Sequence, residues 1–137
     1  MPVMSMRDAL NEVLHTEMAR NDKVIILGED VAGGAGGTGV EEAAGGIFGV
    51  SSGLYKKFGK DRVIDTPISE SAIVGAAAGA ALAGYRPVAE LMFADFIGVS
   101  MDQLYNQIAK FRYMFGGKTR GPAIIRMPTG AGMNMGA

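Results

Sequence analysis

The sequence predicts an α/β domain of three layers, a mainly parallel sheet flanked by helices. Short continuous apolar runs, Val24-Ile-Ile-Leu27, Val63-Ile64, Pro87 to Met92 and Pro122 to Met127, have the composition of strands buried on both faces. Helical periodicity fills the segments between them, and strand alternating with helix is the order that builds a parallel sheet. A hydrophobic content of 48% against 20% charged residues supplies a core and excludes an intrinsically disordered chain.

Each element has its own signal. Met6, Ala9, Leu10, Val13, Leu14 and Met18 recur at helical spacing behind Ser5, an N-cap residue, so a first amphipathic helix spans residues 6–20. Val24–Leu27 is the first strand. Glycine then dominates: the chain has 21 in 137 residues, about 15% where ~7% is usual. Nine lie between Gly28 and Gly49, which predicts one long loop, because glycine loses most backbone entropy on ordering.

A short helix over Ser52 to Phe58 closes at Gly59, and Val63-Ile64 is the second strand. Pro67 disfavours helix at Thr66 and marks a break. Helix resumes after Ser69 and runs to about Ala83. Its run Gly75-Ala-Ala-Ala-Gly79-Ala-Ala-Leu-Ala-Gly84 carries little side-chain volume, which suits close packing on a neighbour or ligand and equally suits a crowded core. Pro87 to Met92 follows as a strand. Met101, Leu104, Ile108, Phe111 and Phe115 then alternate steps of three and four, an amphipathic helix stopped by Gly116-Gly117. Pro122 to Met127 is the last strand. With 137 residues and no internal repeat or linker, one domain is expected. The uncharged segment after Met127 reads either as a frayed tail or as a chain that continues.

Composition also narrows function. A net charge of -1 gives no overall pull toward nucleic acid or an anionic membrane. Zero cysteines exclude disulfides, thiolate metal sites and cysteine nucleophiles, and suit a reducing compartment. No signal-peptide pattern is recognisable, and the run Ile73 to Gly84 is shorter than the roughly 20 residues of a membrane helix. The cytoplasm is the expected location.

Two motifs match a pattern without its setting. Gly34-Ala-Gly36-Gly-Thr-Gly39 fits the dinucleotide fingerprint, but it neither follows a strand directly nor opens a helix, and Glu41-Glu42 would repel phosphate. Gly49-Val-Ser51-Ser-Gly53 fits a nucleophile elbow, yet no strand precedes it and the single histidine, His15, lies upstream. His15 is expected to be a solvated helix residue, and Lys56-Lys57, Lys60, Arg62, Lys118 and Arg120 solvated charge. No metal ligand set is expected. Acid–base work therefore falls to carboxylates. Glu70 is the leading candidate, at a strand-to-helix turn where α/β sheets bind ligands, although a glutamate merely favoured by the helix dipole would look the same. Met92 and Phe96, near the end of the next strand, could line the same crevice or pack in the core.

The blocks Leu27-Gly-Glu-Asp-Val31, Gly53 to Gly59, Arg62-Val-Ile-Asp-Thr-Pro-Ile-Ser-Glu70, Gly84 to Met92 and Asp102-Gln-Leu-Tyr-Asn106 occur in that order. Together they resemble the beta subunit of thiamine-diphosphate-dependent 2-oxoacid dehydrogenases, across essentially the whole chain. The glycine-rich insert is most similar to acetoin dehydrogenase beta chains. The resemblance implies a transketolase-type pyrimidine-binding domain. Glu70 matches the glutamate that hydrogen-bonds the cofactor's pyrimidine nitrogen and promotes the tautomer able to take the thiazolium proton. Met92 and Phe96 match residues packing on the aminopyrimidine, Ile68 a residue lining the same pocket, and Glu29 a glutamate reaching toward it.

The resemblance places the diphosphate, with its Mg2+, on an alpha subunit, and makes a lipoyl-bearing acyltransferase a second partner. A hetero-oligomer is implied. The family's beta subunits carry a further C-terminal domain, so the 137 residues are expected to be an incomplete subunit. Tyr105 and Tyr113, off the apolar face of their helix, are interface candidates. Two other readings remain: an assembly module without catalysis, and a nucleotide-binding domain using the Gly34–Gly39 loop.

Overall fold

The structure, a computed structural model, describes residues 3–33, 45, 46, 48–130 and 132. Most of the glycine-rich insert, including the Gly34–Gly39 motif, and the last five residues lie outside the described residues. The described part is a parallel sheet in the order β2-β1-β3-β4, with β1 Val24–Gly28, β2 Val63–Asp65, β3 Arg86–Glu90 and β4 Ile124–Arg126. β1 sits centrally and is buried along its whole length, which is why Val24-Ile-Ile-Leu27 shows no polar alternation.

Helices cover both faces, as expected. On one side α1 (Met6–Arg20) and α2 (Leu54–Phe58) enclose a core of Leu14, Met18, Val24, Ile26, Val50, Leu54 and Val63. On the other, α3 (Glu70–Leu82) lays Ile73 and Ala77 on Leu27 and Ala89. Each fully buried Leu or Ile stabilises by about 1.5–3 kcal/mol. The small residues of α3 set how near the helix comes: Ala77, Ala78 and Ala81 are buried, and a Cβ on Gly75 would stand 3.6 Å from the Gln103 side chain. Gly79 faces open space among the described residues.

Ser5 caps α1, its hydroxyl accepting from the Asp8 amide at 3.1 Å. The apolar stripe of α1 is only partly used, however: Leu14 and Met18 are buried, whereas Met6, Leu10 and Val13 stay exposed.

The larger departure concerns residues 94–114. In place of one amphipathic helix beginning at Met101, a 3-10 helix (Ala94–Ser100), a π-helical stretch (Asp102–Ile108) and α4 (Ala109–Met114) run on in sequence. None of the residues from Asp102 to Met114 is buried, and Met101 and Phe115 are 46% and 47% exposed. The seam read from three–four spacing is half-buried at Leu104, Ile108 and Phe111, shared between α3 and the chain entering β4.

Two residues expected in solvent instead hold elements together. His15 Nε2 lies 3.0 Å from the Ser52 carbonyl, its ring tilted against Phe58, and Asn11 donates to the Val50 carbonyl at 2.8 Å, so α1 pins the turn before α2. Arg62 donates to the Val24 and Asn21 carbonyls at 2.7 and 2.8 Å and stacks on Phe58. Periodicity reports the apolar face of an element, not backbone carbonyls that a neighbouring turn leaves open. Among the described residues no helix is long and apolar enough to cross a membrane.

Candidate functional site

A parallel sheet brings the carboxyl ends of its strands to one edge, and in this chain that edge is acidic. Gly28 ends β1, in register with Asp65 of β2 and Glu90 of β3. A side chain is excluded there, because a Cβ would lie 2.8 Å from the Glu90 carbonyl oxygen and 2.9 Å from the Glu90 Cβ. The chain then turns sharply. Asp30 takes a left-handed conformation with φ 57, and its carbonyl accepts from the Gly33 and Gly46 amides at 3.2 and 2.8 Å. The Ala32 amide donates to Asp65 Oδ1 at 2.5 Å, locking the turn to the end of β2.

This turn buries Glu29, which is only 8% exposed, and its Oε1 has no hydrogen-bond partner among the described residues. Burial pushes the Glu29 carboxyl above its ordinary range, and the nearby carboxylates of Glu70 and Asp30 push it further. Glu70 opens α3, the helix entered after Asp65-Thr-Pro-Ile-Ser69, and is the only charged residue of that helix. Ser69 turns its hydroxyl onto the Pro67 carbonyl at 2.9 Å and so leaves the helix amides uncapped by its side chain. A carboxylate in that first turn gains about 0.3–1 kcal/mol from the dipole.

β3 leads into the second wall. Met92 is buried. Phe93 stands edge-on to Phe96 at 5.7 Å and to Phe48 at 6.0 Å, an aromatic row with Phe93 at its centre. The Leu91 amide donates to the Arg126 carbonyl at 2.9 Å and the Ala94 amide to the Pro128 carbonyl at 3.1 Å, so the continuation of β4 holds this wall. The Ser71 hydroxyl donates to the Val99 carbonyl at 2.7 Å and ties the first turn of α3 to the 3-10 helix bearing Phe96. Ile68 stands apart, 81% exposed on the connection between β2 and α3.

Sequence reasoning missed Glu90 and Arg126. They face each other in register on β3 and β4 and form a buried ion pair beneath the crevice. Burial pulls Arg126 down to about 10, which leaves it charged at neutral pH. Its Nε and the hydroxyl of buried Ser51 have no partner among the described residues, and a Cβ on Gly46 would lie 3.4 Å from both Ser51 Oγ and a Glu90 oxygen. The available signal was one acid and one base inside otherwise apolar strands, since a charge in a doubly covered strand must be paired. Ser51 itself is buried within a turn rather than presented at a strand-to-helix elbow.

The arrangement accepts hydrogen bonds and favours positive charge. It is unsuited to phosphate, because Arg126 is already engaged with Glu90. Fold and site together define an α/β domain with an acidic edge at the carboxyl ends of a parallel sheet, the place where such sheets bind ligands. The chain belongs to the transketolase pyrimidine-binding domain family, whose model matches residues 3–137. It is 58% identical over 134 residues to the acetoin:2,6-dichlorophenolindophenol oxidoreductase subunit beta of Cupriavidus necator, covering 98% of this chain and 39% of that protein. The protein of the same name from Bacillus subtilis is 53% identical over 137 residues, with 98% and 40% covered. A pyruvate dehydrogenase E1 component subunit beta from Staphylococcus epidermidis is 42% identical over 134 residues, with 98% and 38% covered. The chain thus spans about two fifths of the length of these relatives.

Proposed function

We propose that this chain forms the aminopyrimidine half of a thiamine diphosphate site in the beta subunit of a dehydrogenase complex, acting on acetoin or on a 2-oxoacid. The observation that carries the reading is the carboxylate pair at the sheet edge: Glu29, buried with an unpartnered oxygen, and Glu70 close enough to raise it. These acceptors suit an aminopyrimidine whose exocyclic amino group donates and whose ring nitrogen donates once it carries a proton. When bound, thiamine diphosphate supplies the nucleophilic carbon that attacks the substrate carbonyl.

The residues of this chain have separable tasks. Glu70 accepts a hydrogen bond at the pyrimidine nitrogen and holds the proton there, and a fixed negative charge in a dry site favours the protonated ring more than an amide would. Glu29 adds negative potential from beneath. Met92 and Phe96 pack the ring and exclude water, while Ile68, exposed on the connection into α3, is free to cover the outer side of a bound ring. Diphosphate and Mg2+ need cations and carboxylates of another kind, which an alpha subunit supplies. Transfer of the acyl group to a lipoyl-bearing acyltransferase completes the reaction, in a soluble cytoplasmic complex.

The test is Glu70→Gln in the assembled complex. Loss of general acid–base assistance should lower turnover by about 10²–10⁴-fold, with circular dichroism and subunit assembly unchanged. Turnover within a factor of two of the parent would remove Glu70 from the mechanism.

A further inference from the structure

At the other end of the sheet the charge balance reverses. From Gln103 to Ala137 the sequence has no Asp or Glu and five cations, Lys110, Arg112, Lys118, Arg120 and Arg126, within a chain of net charge -1. Arg126 is consumed by Glu90. Lys110 donates to Asn106 at 2.8 Å and lies over the Tyr105 ring. Arg112 and Arg120 have no ion pair with any described residue.

Both line one groove of about 370 Å³, between α4 and the strand entry of β4, with Thr119 beside them and Ile108, Phe111 and Pro122 as its apolar lining. The walls are fixed. After α4 the Gly117 amide donates to the Arg112 carbonyl at 2.7 Å and the Lys118 amide to the Phe115 carbonyl at 3.2 Å, a turn that Gly116 and Gly117 allow with φ 59 and 79. Gly121 seats the other wall on α3, where a Cβ would lie 3.4 Å from the Ala81 Cβ. The Thr119 hydroxyl, shielded from solvent, has no hydrogen-bond partner among the described residues.

We propose that this groove binds an organic phosphate, its phosphoryl group held by Arg112, Arg120 and Thr119 and its apolar portion lying on Ile108, Phe111 and Pro122. Guanidinium forks match the geometry of phosphate oxygens. An orphaned hydroxyl gains a partner when a phosphate oxygen enters. The volume falls in the range of small-molecule pockets, about 300–1,000 Å³. The groove opens beside Pro122, ahead of β4, whereas Glu29 and Glu70 lie where β1 and β2 end, so a phosphate here would meet neither carboxylate.

The experiment is calorimetric titration of the full-length protein with phenyl phosphate and with inorganic phosphate. The double variant Arg112→Gln/Arg120→Gln is titrated in parallel, so the difference isolates this groove from any other phosphate site. Phenyl phosphate should bind at least tenfold more tightly than inorganic phosphate. Each single Arg→Gln change should weaken it tenfold or more, the double change should abolish it, and Thr119→Val should weaken it severalfold. Affinity should also fall with added salt, since both arginines are exposed. Melting temperatures should stay unchanged. Equal affinity for the two phosphates, binding retained by the double variant, or binding of a poly-glutamate peptide without either phosphate would each overturn the proposal.

Discussion

Glu90 and Arg126 offer the sharpest test of how this sheet edge is held. Glu90 is 2% exposed and Arg126 is largely buried, and the two join β3 to β4 just where the walls of the crevice begin. Removing one partner leaves the other buried and uncompensated, which costs about 3–5 kcal/mol, whereas replacing both with apolar groups of similar volume is often neutral or stabilising. With a total stability on the order of 5–15 kcal/mol for a domain, the single change Glu90→Leu would consume about a fifth of it or more. Arg126→Met should cost the same range, for it strands the carboxylate instead.

The double variant Glu90→Leu/Arg126→Met should recover most of that loss. Urea denaturation followed by circular dichroism reads all four corners of the cycle, and the coupling should exceed 2 kcal/mol in magnitude. Should a single variant fail to fold, the double variant still decides. A double variant no more stable than the worse single one would refute the argument that pairing, rather than shape, governs this position. Single costs below about 1 kcal/mol would do so too, placing the pair with solvent-exposed ion pairs.

Three further outcomes follow from the same edge. Because the folded state raises the Glu29 pKa above its ordinary 4.5, the native protein holds more protons than the unfolded chain between the two values, and stability falls as pH rises through that window. Glu29→Gln should therefore stabilise at neutral pH, the gain fading as pH falls toward about 4.5 in melts recorded across pH. Gly28→Ala should cost about 1–3 kcal/mol through overpacking, since the new Cβ meets backbone as well as side chain of Glu90, and should slow turnover by displacing Glu29. Calorimetry of the chain without an alpha subunit should show no micromolar binding of thiamine diphosphate, and such binding would contradict the division of the site between subunits.

The elements that sequence resolves best are those whose chemistry is local. Ser5 at the head of α1, the unbroken apolar run of β1 and the glutamate that opens α3 all follow from neighbours within a few residues. Strand ends shift by one or two positions, as when the run Pro87 to Met92 becomes Arg86–Glu90, because ladder pairing with β1 and β4 sets the limits. What stays illegible depends on partners far along the chain. Arg62 and Lys57 look alike on paper, yet Arg62 is fixed by carbonyls of residues 38 and 41 positions earlier. Glu90 and Arg126, 36 residues apart, become a pair only when β3 and β4 lie side by side. The π-helical stretch Asp102–Ile108 carries the same three–four apolar spacing as an α-helix, so periodicity does not distinguish the two.

Under the proposed function, the distribution of charge gives a domain of this kind a reason to meet a partner at its acidic edge. Glu29, Asp30, Asp65, Glu70 and Glu90 gather where the strands end, and Arg126 is the one cation of the adjoining strands there. Such an edge lowers the energy of a cationic or hydrogen-donating ring and raises that of a diphosphate, by Coulomb terms that grow as water is excluded. A ligand carrying both features cannot be held entirely by these residues. Its cationic half suits Glu29 and Glu70, and its anionic half must reach a second surface that brings its own positive charge. Adding cations beside Glu70 would neutralise the carboxylate to which the proposed function assigns proton placement, so separating the two surfaces would preserve a function that merging them would weaken.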